Sequence, residues 1–287
     1  MVDVVSSFRG VRLKKKIIPF FIIQYTFLIT VSFAQSPYQL KTGKEITLLG
    51  TGAVSLGASV ALSHAIDPLT PTEIAVLNPT DINSIDRSAT GHWSPTAANL
   101  SHVTLTGTVA LAGGLALGTK PMRQDFKTVA IMYAETMLIG NGIERTIKAI
   151  TQRPRPFVYN SDVPLDEKLD RDARQSFFSG HATNAFASAV FASEVFRHYF
   201  PHSRLKPVIW VGSLGLATAT AVLRYEGGKH YPTDLIAGAA FGSLVGWGIP
   251  KLHEVKNQSG IGRRLDIQPW SSGSAKGIYV RLAVFSR

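Results

Sequence analysis

Six apolar segments constrain this chain more than any other feature. They lie at about 45–64, 101–119, 127–147, 181–199, 207–223 and 234–249, are rich in Ala, Leu, Gly and Val, and run too long for strands. The expected fold is all-α, a six-helix up-down bundle. Pro207 and Pro232 fall near first turns, where a missing N–H costs little, and Pro250 is expected to stop the sixth helix. The polar loop 65–100 is long enough to need short helices of its own. Gly238, Gly242 and Gly246 share one face of the sixth helix. Each costs about 1 kcal/mol against alanine in an exposed helix, so the stripe makes sense where two backbones approach closely. After Arg264 the pattern changes. Ile278, Val280, Leu282 and Val284 alternate, which predicts a short C-terminal strand or β-hairpin in the tail 265–287.

Charge narrows the partners. Hydrophobic residues make up 45% and charged residues 17%, so the chain is too apolar to be disordered, and with no cysteine it has neither disulfides nor Cys-ligated zinc. The net charge of +11 suits nucleic acid, anionic lipid or a phosphate-bearing substrate. Nucleic acid is set aside, because no zinc-finger spacing or aromatic-basic repeat is present.

Arg9, Arg12, Lys14, Lys15 and Lys16 precede an apolar stretch ending Ser32-Phe33-Ala34, which reads as a signal peptide or signal anchor over 1–34. Basic connections at 120–127 and 197–206 alternate with a net acidic loop at 65–100, as the positive-inside rule expects of a multi-pass protein. The expected location is the cell envelope, membrane-associated, with the functional end facing the periplasm or exterior. A soluble periplasmic bundle is the alternative, because a cleaved signal followed by six crossings would give the opposite orientation. The third and fourth helices are the weakest spans, since they carry Glu135 and Glu194.

An up-down bundle brings the end of helix three, the start of helix four, the end of helix five and the start of helix six to one side. The chemistry-bearing residues sit at those four places. Lys148 and Arg155 supply a point charge and a forked donor for phosphate oxygens, and Arg224 a second fork. Ser179 and Gly180 open a helix, where free N–H groups hold an anion. His230 and Asp234 are four apart, so a carboxylate can orient a nucleophilic ring. His181 is placed to protonate the leaving oxygen. No cluster of Asp, Glu and His shows metal-ligand spacing, so no metal and no cofactor is expected. The other histidines, His64, His92, His102, His198, His202 and His253, are assigned structural roles.

At these residues the chain resembles the type 2 phosphatidic acid phosphatase and vanadium haloperoxidase superfamily. Lys148 to Pro156 reads KAITQRPRP, Phe178 to His181 reads FSGH, and Leu223 to Asp234 reads LRYEGGKHYPTD. Phe178 stands where the family has proline and Leu223 where it has serine. The resemblance covers about residues 100–250, within a helical domain spanning 35–264. It implies that Lys148, Arg155, Arg224, Ser179 and Gly180 bind phosphate, with His181 as acid, His230 as nucleophile and Asp234 as its partner. The implied activity is metal-independent hydrolysis of a phosphate monoester or pyrophosphate, lipid-linked, through a phosphohistidine. A vanadate-dependent haloperoxidase and a non-catalytic phosphate-binding envelope protein are the alternatives.

Overall fold

Ser94 and Pro95 show how local chemistry sets the helix boundaries. Ser94 Oγ accepts from the Ala97 N–H at 3.2 Å, and Pro95 takes the first helical position, where its fixed φ is already helical. The helix expected from 101 therefore starts at 95 and takes in Ala98 and Asn99. In the computed structural model, which describes residues 36–255, 265–272 and 275–282, six helices have twenty or more residues. They are α1 (Thr42–His64), α3 (Pro95–Gly118), α5 (Phe126–Thr151), α7 (Gly180–Tyr199), α8 (Lys206–Glu226) and α9 (Pro232–His253). Three short helices, α2 (Pro71–Ala75), α4 (Lys120–Gln124) and α6 (Leu165–Lys168), raise the expected six to nine among the described residues. The stretch 1–34 lies outside them.

Pro250 does not stop the last helix, which runs on to His253. A proline in the final turn removes one ladder bond, and the ring of His253 bonds back to the Ile249 carbonyl at 2.9 Å. Residues 265–272 and 275–282 form a two-stranded antiparallel ladder with Leu265 opposite Leu282.

Helix α7 is the central element and packs on α9, α8, α3 and α5, while α1 lies along α5. The glycine stripe explains the closest of these approaches. A Cβ on Gly238 would stand 2.7 Å from the Ser179 carbonyl oxygen, and one on Gly242 or Gly246 would overlap the carbonyl oxygen of Thr183 or Ala187. The stripe thus seats the start of α9 beside the start of α7. Val129, Met132, Phe191, Val195, Val245 and Ile249 fill the core between α5, α7 and α9. A second apolar cluster, with Leu69, Phe157, Val158, Val163 and Ala173, ties the loops before α3 to those after α5. It braces the chain that carries Arg153 and Arg155. Four helices, α1, α3, α8 and α9, are long and apolar enough to cross a membrane. Helices α5 and α7 are not among them, in keeping with their charged residues.

Candidate active site

The ends of α1, α3, α5, α7 and α8, with the loops before α3, after α5 and after α8, border a cavity of about 810 Å³. Lys148, Arg155, Gly180, His181, Arg224 and His230 line it. Ser179 and Asp234 stand behind this wall, both fully buried. All eight residues singled out in the sequence are therefore brought to one end of the bundle, six on the cavity surface and two supporting it.

Each cation is held by its own element. Lys148, in the last turn of α5, pairs with Glu144 one turn earlier at 2.9 Å. Glu144 in turn packs against Gly180, where a Cβ would lie 2.8 Å from its carboxylate oxygen. Arg155 is 3% exposed and is fixed from several sides. It donates to the Asp172 carbonyl at 2.9 Å, to the Asp172 carboxylate at 2.7 Å and to the Lys229 carbonyl at 2.9 Å. Arg224, in the last turn of α8, is buried, and its Nε has no hydrogen-bond partner among the described residues. Ser179 caps α7 by accepting from Ala182 N at 3.3 Å, and its own N–H donates to the Asp234 carbonyl at 3.1 Å.

The tautomer of His230 follows from these contacts. Arg155 Nη1 lies 3.2 Å from His230 Nε2. A guanidinium only donates, so Nε2 bears the lone pair and Nδ1 the hydrogen. Nδ1 points at Asp234 Oδ2 across 3.6 Å, beyond hydrogen-bond reach. The expected His230–Asp234 pair is thus a looser contact, because the carboxylate is already engaged. Asp234 accepts from Arg153 at 2.6 Å, from Ser176 at 2.5 Å and from the Tyr231 N–H at 3.0 Å.

Burial, reinforced by Arg155, Arg224, Lys148 and His181, holds the His230 imidazole well below its ordinary pKa. His181 is lowered by burial and by Arg224, His102, Arg155 and Lys148. Both rings are neutral at pH 7.

Several contacts of this site do not follow from the sequence, including the partners of Arg153, which stands beside Lys148 and Arg155 in the KAITQRPRP stretch. Arg153 bridges Asp234 to Asp86, donating to the latter at 2.8 Å, and its guanidinium stacks 3.9 Å over the Tyr231 ring. Asp86 also accepts from the Thr233 hydroxyl at 2.6 Å and backbone at 3.0 Å, and from Asn83 at 2.8 Å. Burial opposes the charge on Asp86, but these hydrogen bonds keep its pKa below the ordinary value. His102, given a structural role from the sequence, reaches the cavity and places Nδ1 3.1 Å from His181 Nε2. Nothing beside it in the chain signals this, because its partner His181 lies seventy-nine residues further on and only the packing of α3 on α7 brings the two together. Trp93, Pro95, Ala98 and Leu105 add apolar surface to the cavity lining, with the Lys229 ammonium 4.7 Å from the centre of the Trp93 ring.

The expected absence of a carboxylate-histidine cluster also needs correction. Glu45, Glu135 and His253 come together outside this cavity, although they are far apart in the sequence.

A family model described as PAP2 superfamily matches residues 129–258. Among solved structures, the chain is similar to the first transmembrane PAP2 type phosphatidylglycerolphosphate phosphatase from Bacillus subtilis. The two share 18% identity, with 73% of this chain and 95% of that chain covered and a TM-score of 0.34.

Proposed function

Residues 129–258 place this chain in the PAP2 superfamily, and on that premise we propose that it is a phosphatase in which His230 attacks the phosphorus of a lipid-linked monoester or pyrophosphate. The observation that carries the reading is the lone pair on His230 Nε2, fixed beside Arg155 in a cavity also lined by Lys148, Arg224 and His181. Three cationic side chains surround the space next to that nitrogen, so they would stabilise the equatorial oxygens of the transition state. Arginine and lysine here do the electrostatic work that a metal does elsewhere.

The reaction divides into two displacements. His230 Nε2 forms a bond to phosphorus as the bond to the leaving oxygen breaks, and His181 gives that oxygen a proton. Asp234 faces the Nδ1 hydrogen and balances the positive charge that grows on the ring. His181, now neutral, takes a proton from water, whose oxygen attacks phosphorus as the P–N bond breaks. Phosphate leaves and His230 returns to its starting state. A phosphate dianion offsets the cations that depress His181, so substrate binding itself favours the protonated acid.

The lipid component rests on two features. Trp93, Pro95, Ala98 and Leu105 line the same cavity as the cationic side chains, a mixed lining that suits an amphiphile. Helices α1, α3, α8 and α9 are long and apolar enough to carry the chain through a bilayer, and the basic connections at 120–127 and 197–206 favour a cavity facing away from the cytoplasm.

His230→Ala is expected to lower turnover by about two to four orders of magnitude, the range for removing a key catalytic group. Rapid quenching of the wild type with phosphorus-labelled substrate should trap an acid-labile phosphohistidine. Near-normal turnover by the alanine variant, with label absent from the wild type, would overturn the assignment.

A further inference from the structure

Helices α1, α5 and α9 meet at the end of the bundle away from the phosphate cavity. Glu45 lies in the first turn of α1, Glu135 in α5 and His253 at the end of α9. They are 8%, 0% and 1% exposed. His253 is nineteen residues along α9 from Asp234, about 28 Å at 1.5 Å per residue. The catalytic reading makes no use of these three side chains.

Their hydrogen bonding is incomplete. His253 Nδ1 lies 2.9 Å from the Ile249 carbonyl. A carbonyl only accepts, so Nδ1 carries the hydrogen, and the lone pair of the neutral ring sits on Nε2. That nitrogen faces Glu45 Oε1 at 3.1 Å and Glu135 Oε2 at 3.3 Å. Neither carboxylate oxygen of Glu135 has a hydrogen-bond partner among the described residues, and neither has Glu45 Oε2. The nearby Lys44 ammonium bonds to the Leu252 carbonyl.

One imidazole nitrogen cannot satisfy both acidic groups turned toward it, and polar oxygens left buried without a partner are costly. A proton on Nε2 would cancel one charge and leave carboxylate oxygens still unpartnered. A divalent cation answers the whole arrangement. Donor atoms about 3 Å apart are what neighbouring ligands present to an ion with bonds of about 2.0–2.2 Å. One imidazole nitrogen with two carboxylates favours zinc or manganese over calcium, which prefers an all-oxygen shell.

We propose that Glu45, Glu135 and His253 bind one divalent transition-metal ion, of the zinc or manganese type, which clamps α1, α5 and α9 together at the end opposite the phosphatase cavity. The backbone supports a clamp there. Gln39 N donates to the His253 carbonyl and Val255 N to the Pro37 carbonyl, each at 2.9 Å, so the ion would lock a seam between the segment entering α1 and the segment leaving α9.

The full-length chain, purified in detergent and stripped with a chelator, would be titrated separately with Zn2+ and Mn2+. Bound metal would be counted by mass spectrometry, and the melting temperature followed by tryptophan fluorescence. One equivalent per chain and a rise in Tm are expected. Glu135→Gln, which keeps the shape and removes the charge, should weaken binding more than about tenfold and abolish the rise. Its phosphatase turnover should be unchanged, as should that of the stripped wild type. Glu45→Gln serves as a second variant should the first not fold. Wild type that retains no ion from excess metal overturns the proposal. So does a Gln variant at either position that binds one equivalent as tightly as wild type.

Discussion

Removing the guanidinium of Arg153 would strand two fully buried carboxylates, Asp86 and Asp234. Breaking a buried pair by deleting one partner costs about 3–5 kcal/mol, so Arg153→Ala should lower the denaturation midpoint clearly. A purely structural role would stop there. If Arg153 also orients Asp234 toward His230, the variant that still folds should lose kcat more than it raises KM, and steady-state kinetics on the folded fraction will separate the two. The neutral histidines make a further prediction. Because the pKa of His230 is depressed, its nucleophilic form persists as pH falls, so kcat/KM, which reports the free enzyme, should not drop through pH 6.5 on its account. Stability runs the other way. Below about 6.5 the unfolded chain binds protons that the rings of buried His230 and cavity-lining His181 refuse, so the folded state weakens as pH falls, by up to about 1.4 kcal/mol per pH unit for each ring. Melting curves from pH 8 to 5 should show that slope, and His230→Gln should reduce it. Lys148, Arg155, His181 and His230 could be expected at one end of the bundle because each sits at a helix end or in the loop beside one, and all four line one cavity. Arg153 sits two residues from Arg155, but its role depends on Asp86, which arrives from a loop sixty-seven residues earlier. No local pattern reports such a bond.

The starts of α7 and α9 form one working unit, joined by glycines rather than by large side chains. Ser179 N bonds to the Asp234 carbonyl at 3.1 Å, and the glycine stripe holds the two backbones at the distance this bond requires. Gly242→Val should therefore act at two levels. The added carbons meet the Thr183 carbonyl, and overpacking of this kind typically costs about 1–3 kcal/mol. Spreading the helices should also lower turnover, even where thermal scans show the variant folded. The same change at Gly113, where a Cβ meets nothing within 4 Å, is the control. Equal melting temperatures for the two variants would argue against close packing as the role of the stripe. The stripe is visible in the sequence because glycine at a four-residue period strips one helix face of side chains, and such a face is stable only against another backbone. The ends of the elements are less visible. Pro95 reads as loop until Ser94 is seen to cap the helix behind it, and Pro250 reads as a stop although a helix tolerates one lost bond in its last turn.

For the molecule as a whole, the side of the bilayer that the cavity faces decides which pool of substrate it meets. The chain contains no cysteine, so single cysteines can be introduced without background. Ser161→Cys lies on an exposed turn at the cavity end, and His202→Cys on an exposed connection at the other end. In intact cells a membrane-impermeant thiol reagent should label the first and spare the second. Labelling of the second alone would reverse the orientation, and labelling of both would favour a bundle wholly outside the cytoplasm. The six apolar stretches are legible because helices that pack on every side repeat the same small and aliphatic residues. The meeting of Glu45, Glu135 and His253 is not, since only the packed bundle brings them within reach. The Asp86–Arg153 bridge has one more consequence. The family match begins at residue 129, yet the charge balance behind His230 is completed by residue 86. A fragment trimmed to residues 129–258 would keep every motif yet leave Arg153 with one acidic partner, Asp234, instead of two.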